Sequence, residues 1–224
     1  MSWEEDLERE RVRYEDGEAR LPEAADDDAR QRQLTRLGNA AGGAGLALLM
    51  LGQTEEAGEW FDRAVRRYRE SYEHAPPSSW GRPIGALKAR ILAGDWSGAE
   101  EEADWALAEG AADAESPIGR YAGALALLTL GKDAAARPLA DSIRTRDDFP
   151  QDVGDALATI AAEDTLGYTY AVESVLESFE TRDEHLEDIA VADTVIVLQA
   201  LAERRGMAVE LSSELLPSPR SAGA

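Results

Sequence analysis

Three glycines divide much of this chain into pairs of helical segments. Gly52, Gly94 and Gly131 each follow a stretch rich in Ala and Leu, and each precedes a short turn and a second stretch. A glycine just past the last apolar residue is a common helix stop, so each of them predicts a helix end. In the first unit small and large side chains recur at helical spacing, at Gly45, Leu48, Gly52, Ala57, Phe61 and Ala64. Because small side chains at such offsets let antiparallel helices approach closely, the chain is expected to fold as helical hairpins.

The next two units repeat the pattern less regularly. The corresponding positions are Ala99, Ala103 and Ala106 in the second unit and Ala136, Ala140 and Ile143 in the third. The units resemble the tetratricopeptide repeat, in which a large residue fills the gap to the next hairpin. The expected fold class is all-α: antiparallel helical hairpins stacked as an irregular superhelix similar to tetratricopeptide-repeat proteins, with about ten helices.

The remaining segments extend this organisation to both ends. Residues 1–217 are expected to form one helical-repeat domain, with an N-terminal helix and connector over 1–28 and a disordered tail over 218–224. A fourth hairpin is predicted over 149–163 and 166–181. The final helix, over about 190–205, is apolar on more than one stripe, so something must cover it. We favour a fold-back that supplies Leu211, Leu215 and Leu216, and a homodimer through the 190–205 helix is the alternative.

Charge and composition exclude several classes of function. The net charge is −22, and Lys88 and Lys132 are the two lysines among 23 basic residues. We interpret this acidity as adaptation to high salt, where repulsion is screened, and no cationic stripe for nucleic acid is found. The acidic N-terminus lacks a secretory signal, and the apolar run 40–51 is too short to cross a bilayer about 30 Å thick. We therefore expect a soluble, cytoplasmic protein that binds neither nucleic acid nor membrane.

Catalytic and metal chemistry has little support in the sequence. The chain has no cysteine and two histidines, which removes thiolate nucleophiles and cysteine-based zinc sites. The run 183–188 contains His185 among acidic residues with the donor types of a metal site, but a solvated acidic turn explains the same composition. No phosphate-binding glycine loop or nucleophile–base arrangement is found. We expect no cofactor, no metal and no enzymatic activity.

The most distinctive stretch joins two predicted helices at 77–83. In hairpin stacks the first helix of each pair lines the concave side, so basic and aromatic residues from several pairs are expected to gather there. Arginine recognises carboxylates with two parallel hydrogen bonds, which suits an acidic peptide or tail. Neutralisation of neighbouring acids is the alternative explanation of the same arginines. The predicted partner-binding residues are Trp80, Arg82, Lys88, Arg120 and Tyr121.

A second resemblance covers roughly residues 77–217. It is carried by Pro77-Ser78-Ser79-Trp80 before a helix ending in Gly94-Asp95, by the 170–179 segment, and by Leu198 to Gly206 with the 209–217 segment after it. This order is similar to a family of bacterial immunity proteins, helical-repeat inhibitors encoded beside polymorphic toxins. The resemblance implies that the chain neutralises a partner protein.

The sequence therefore predicts a non-enzymatic protein-interaction module that binds a partner on its concave face. The second resemblance implies that this module is an immunity-type inhibitor. Two alternatives stay open: a small-molecule or metal-dependent protein with an acidic pocket near His185, and a structural homodimer.

Overall fold

A computed structural model describes residues 2–183, 185 and 189–218. Across this part of the chain there are ten α-helices and two short 3₁₀ helices, Leu21–Glu23 and Ala111–Asp113, and no strand. The α-helices are α1 (Trp3–Arg20), α2 (Asp27–Met50), α3 (Thr54–Glu73), α4 (Gly81–Leu92), α5 (Trp96–Ala108), α6 (Pro117–Thr129), α7 (Asp133–Ile143), α8 (Gln151–Ala161), α9 (Thr165–Glu180) and α10 (Asp193–Glu203). The predicted all-α class and the helix number are confirmed.

The helices pack mainly against their neighbours in sequence. Each of α1 to α8 contacts the helix that follows it. In addition α2 contacts α4, α4 contacts α6, and α6 contacts α8. The last helix, α10, contacts α4, α8 and α9, so the end of the chain returns to its middle. Most of the buried apolar residues belong to two clusters, and Leu92 of α4 packs against both.

One turn geometry recurs where helices of a pair meet. Gly52, Gly94 and Gly131 have φ of +74°, +72° and +68°, as the helix-stop prediction requires. Each is followed by a residue whose N–H donates back across the turn, for example from Gln53 to the Leu48 carbonyl at 2.9 Å. Between α8 and α9 the same position is taken by Glu163, with φ of +53°. A side chain therefore stands where the other three turns use glycine.

We expect Glu163→Gly to stabilise the protein. A left-handed conformation costs a residue with a side chain roughly 1–2 kcal/mol, and glycine avoids this cost. Glycine also gives the unfolded chain more conformational entropy, which offsets part of the stabilisation. The expected net rise in the free energy of unfolding is about 0.5–1 kcal/mol, measured by denaturant titration. The reciprocal change Gly131→Ala should lower it by a similar amount. A loss of stability in Glu163→Gly would contradict this account of the turn.

The final helix is covered by its own chain. Its residues Val195, Val197, Leu198 and Leu201 are buried. Leu211, Leu215 and Leu216 pack against the same cluster, and the Ala192 N–H donates to the Leu215 carbonyl at 2.9 Å. The predicted fold-back is confirmed, so the surface considered for a homodimer is occupied within one chain.

The N-terminal helix predicted within 1–28 continues to Arg20 and includes Gly17. Gly17 lies in a close helix contact, since a Cβ there would be 2.7 Å from a methyl carbon of Leu37. Of the predicted tail, residues 219–224 lie outside the described part of the chain. In the part that is described, no helix combines the length and the apolar character needed to cross a membrane.

Candidate functional site

A cavity of about 460 Å³ lies between α2 and α4, with α3 contributing to its floor. We call it the α2–α4 cavity. Its α2 wall consists of Thr35, Asn39, Gly42, Gly43 and Leu46, and its α4 wall consists of Gly81, Arg82, Ile84, Gly85, Lys88, Ala89 and Leu92. These positions recur at the helical repeat, so each wall is a single face of its helix. Ile189 and Val191 from the segment before α10, and Asp193 at the start of α10, also line the cavity.

The ring of Tyr68 sets the spacing between the two walls. A Cβ at Gly38 of α2 would lie 2.8 Å from this ring, and a Cβ at Gly85 of α4 would lie 2.7 Å from it. The Tyr68 hydroxyl donates to Oδ1 of Asn39 at 2.9 Å. The ring is 9% exposed and fits between two helix surfaces that carry no side chain at the contact. Tyr68 thereby holds α2 and α4 at the distance that leaves the cavity open above it.

Arg82 lies on a polar network that ends at a carboxylate, because the Gln31 side chain donates from Nε2 to Oδ1 of Asp28 at 3.0 Å. Its Nε donates to Oγ of Ser71 at 3.3 Å, and its guanidinium also donates to Oε1 of Gln31. The Ser71 hydroxyl in turn donates to the Gln31 carbonyl at 2.8 Å, and both residues are buried. No carboxylate of the described residues forms an ion pair with Arg82, and burial lowers its pKa. The charge of Arg82 therefore has no carboxylate in direct contact among the described residues, and Asp28 is linked to it only through Gln31.

Lys88 lies about one and a half turns further along α4 and has both an ion-pair partner and a hydrogen-bond partner. Its Nζ lies 2.5 Å from Oδ2 of Asp193 and donates to Oγ1 of Thr194 at 3.0 Å. Burial alone would lower the pKa of Lys88, but the charge and hydrogen bond of Asp193, together with the electrostatic effect of Tyr121, outweigh it, so the pKa is raised. The positive charge of Arg182 acts in the opposite direction. Lys88 thus ties α4 to the start of α10.

Two further basic side chains line the cavity from the segment after α9. The Arg182 guanidinium lies 3.7 Å from the centre of the Phe179 ring and donates to the Ser178 carbonyl at 3.1 Å. His185 also lines the cavity, and its Nε2 is buried without a hydrogen-bond partner among the described residues. The metal site considered at 183–188 involves positions 184 and 186–188, which lie outside the described residues. Within the described part of the chain, no group of three or more potential metal ligands occurs.

A second cavity, of about 450 Å³, lies on the other side of Lys88 and Thr194, which line both. We call it the α6–α8 cavity. Its other lining residues come from the start of α6, from the segment that precedes α8 and from the first turn of α8: Pro117, Ile118, Tyr121, Asp148, Phe149, Pro150 and Val153. The Tyr121 and Phe149 rings are 5.4 Å apart. Burial raises the pKa of Tyr121, and Asp193 adds to this effect while Lys88 opposes it.

The five predicted partner-binding residues are distributed unequally over these features. Arg82 and Lys88 line the α2–α4 cavity, and Lys88 and Tyr121 line the α6–α8 cavity. Trp80 is 5% exposed and belongs to the buried core. Arg120 donates from Nε to the Ala114 carbonyl at 3.2 Å and so holds the connector before α6. Trp80 and Arg120 line neither cavity.

Several cavity residues were not predicted. Thr35 and Asn39 lie on the same face of α2 as Leu46. The change from polar to apolar residues along this one face is visible in the sequence and could have indicated a cavity wall. Arg182 gave no such signal, because it reaches the cavity only through the return of the chain to α4.

Comparison with known proteins does not assign a family. No protein-family model, no curated protein and no solved structure matches this chain.

Proposed function

We propose that this chain is a non-enzymatic protein-interaction module that binds an extended segment of a partner polypeptide along the two cavities. The observation that carries the proposal is their arrangement: cavities of about 460 and 450 Å³ lie side by side and share Lys88 and Thr194. A small molecule of ordinary size needs one pocket of this volume. An extended polypeptide places successive side chains at separated points and so uses both.

The lining of the α2–α4 cavity suits such a segment. Phe61, Leu46 and Leu92 supply apolar surface, and Arg82 and Arg182 supply positive charge. Polypeptide segments that anchor in grooves commonly combine apolar side chains with a few charged ones. Neutralisation of a partner, the role implied by the immunity-family resemblance, is one use of such a surface.

The acidity of the chain does not oppose an acidic partner under the conditions that its composition favours. The net charge is −22. In molar salt the Debye length falls to about 3 Å, so repulsion between distant charges is screened. Contacts made inside a cavity are screened much less. Short-range recognition in the α2–α4 cavity therefore decides binding.

Gly42→Leu is expected to block binding and leave the fold intact. Gly42 lines the α2–α4 cavity, and the nearest atom to a Cβ at this position is the Tyr68 hydroxyl oxygen at 4.0 Å. A leucine side chain therefore extends into open space in the cavity, and the helix itself gains from the loss of glycine. The measurement is selection of a displayed random-peptide library on immobilised protein in molar KCl.

Gly58→Leu is the matched control, because Gly58 lies in α3 with nothing within 4 Å of its Cβ position and does not line the cavity. We expect wild type and Gly58→Leu to enrich the same peptides, and Gly42→Leu to enrich none of them. Equal enrichment on all three proteins, or enrichment on none, would remove the proposed function.

A further inference from the structure

We infer that Arg82 binds the carboxylate of an Asp or Glu side chain in the partner segment, while the far end of the α2–α4 cavity takes apolar side chains of the same segment. The inference rests on the proposed function and names the chemistry of its ligand.

The guanidinium of Arg82 has donors left for a ligand. An arginine carries five N–H groups in a fixed plane. Nε donates to Ser71 and one terminal nitrogen donates to Gln31, and the structure gives no acceptor for the others among the described residues. Because Ser71 and Gln31 are buried, they fix the plane of the guanidinium at the cavity wall. A fixed guanidinium with free donors matches the two oxygens of a carboxylate.

The surroundings of Arg82 also favour a negative charge. Arg82 is the second residue of α4, which begins without a capping side chain and has no acid in its first turn. By contrast α2 begins with Asp26 and α9 with Asp164, each accepting from a backbone N–H of its own helix. The partial positive charge at the start of α4 is therefore not offset locally, and it adds to the charge of Arg82.

Polarity changes along the cavity in the same direction on both walls. On α2 the lining runs from Thr35 to Leu46, and on α4 it runs from Arg82 to Leu92. Thr35 is close to the Arg82 network, since its hydroxyl oxygen lies 2.8 Å from that of Ser71. Ten residues of helix span about 15 Å. About five residues of extended polypeptide cover that length. In a peptide of five residues, an acidic side chain at one terminus can therefore reach Arg82 while leucines at the other terminus reach the apolar end of the cavity.

The experiment uses acetyl-Glu-Ala-Ala-Leu-Leu-amide, its reversed sequence, and the analogues in which Gln replaces Glu. Binding to the full chain is measured by titration calorimetry in molar KCl. The better Glu peptide is expected to bind wild type at least about tenfold more tightly than its Gln analogue, as hydrogen bonds to a charged group predict. In Arg82→Gln this preference should vanish, and in Arg82→Lys, which keeps the charge but not the planar donors, it should be partly retained. Arg137→Gln, at an exposed position of α7 outside the α2–α4 cavity, removes one charge as a control and should keep the full preference.

The outcomes separate the two proposals. If Glu and Gln peptides bind wild type equally, and both lose binding in Gly42→Leu, the proposed function stands and the role of Arg82 is wrong. A preference for Glu that persists unchanged in Arg82→Gln or Arg82→Lys also overturns the inference. Absence of binding by every peptide overturns it as well, and the library selection then decides the proposed function by itself. If Arg82→Gln fails to fold, Arg82→Lys supplies the same test.

Discussion

Replacing Tyr68 with alanine is expected to lower the free energy of unfolding by about 3–4 kcal/mol, the largest effect that we predict for a single substitution. The ring is buried and fills the gap between α2 and α4, where Gly38 and Gly85 present no side chain. Removal of the ring leaves a space that neither helix backbone can fill without moving. The measurement is equilibrium denaturation in molar KCl, followed by circular dichroism.

Two companion variants make this result specific. Tyr170→Ala removes the same side chain from an exposed position of α9 that is 67% accessible, and we expect a change within about 0.5 kcal/mol. Gly85→Leu should destabilise wild type, because its Cβ would lie 2.7 Å from the ring, but should recover part of the stability lost in Tyr68→Ala. Additive effects of these two changes would show that Tyr68 does not separate α2 from α4 as described.

Lys88→Met is expected to cost about 2–3 kcal/mol. Removing one member of a buried ion pair leaves the other charge uncompensated, which costs about 3–5 kcal/mol when both groups are fully buried. The side chain of Asp193 is 22% exposed, so water compensates part of the loss. Because the pair joins α4 to α10, we also expect Lys88→Met to accelerate the hydrogen exchange of backbone amides in α10 more than in α2.

Lys132→Met is the matched control, since Lys132 is the other lysine and lies exposed before α7. Its substitution should change the free energy of unfolding by less than about 0.5 kcal/mol. The double variant Lys88→Met with Asp193→Leu should be more stable than Lys88→Met alone, because no unpaired charge remains. Equal losses in the two lysine variants would contradict the buried link between α4 and α10.

The helices and their ends could be predicted because their signals are local. Gly52 is a clear stop, and the backbone takes the expected left-handed conformation there. The small residue Gly45 indicated a close approach of helices, and a Cβ there would lie 2.7 Å from the Phe61 ring.

The site could be predicted only in part because its side chains come from distant positions. Lys88 and Thr194 are 106 residues apart, and no local pattern shows that α10 returns to α4. Trp80 was expected on the concave surface because the first helices of hairpin pairs line that side, but the structure buries it against Gly119, where a Cβ would lie 2.7 Å from Nε1. Arg82 was identified from the chemistry of its side chain, whereas its partners Ser71 and Gln31 required the structure.

The central claim is that a partner segment lies in the α2–α4 cavity, and nuclear Overhauser effects from a bound peptide test it most directly. The probe is the tighter of the two Glu peptides with isotope-labelled leucine methyl groups. The account predicts contacts from these methyl groups to Leu46 and Leu92, which line the apolar end of the cavity. Contacts instead to Leu166 and Tyr170, the exposed apolar pair on α9, would contradict it.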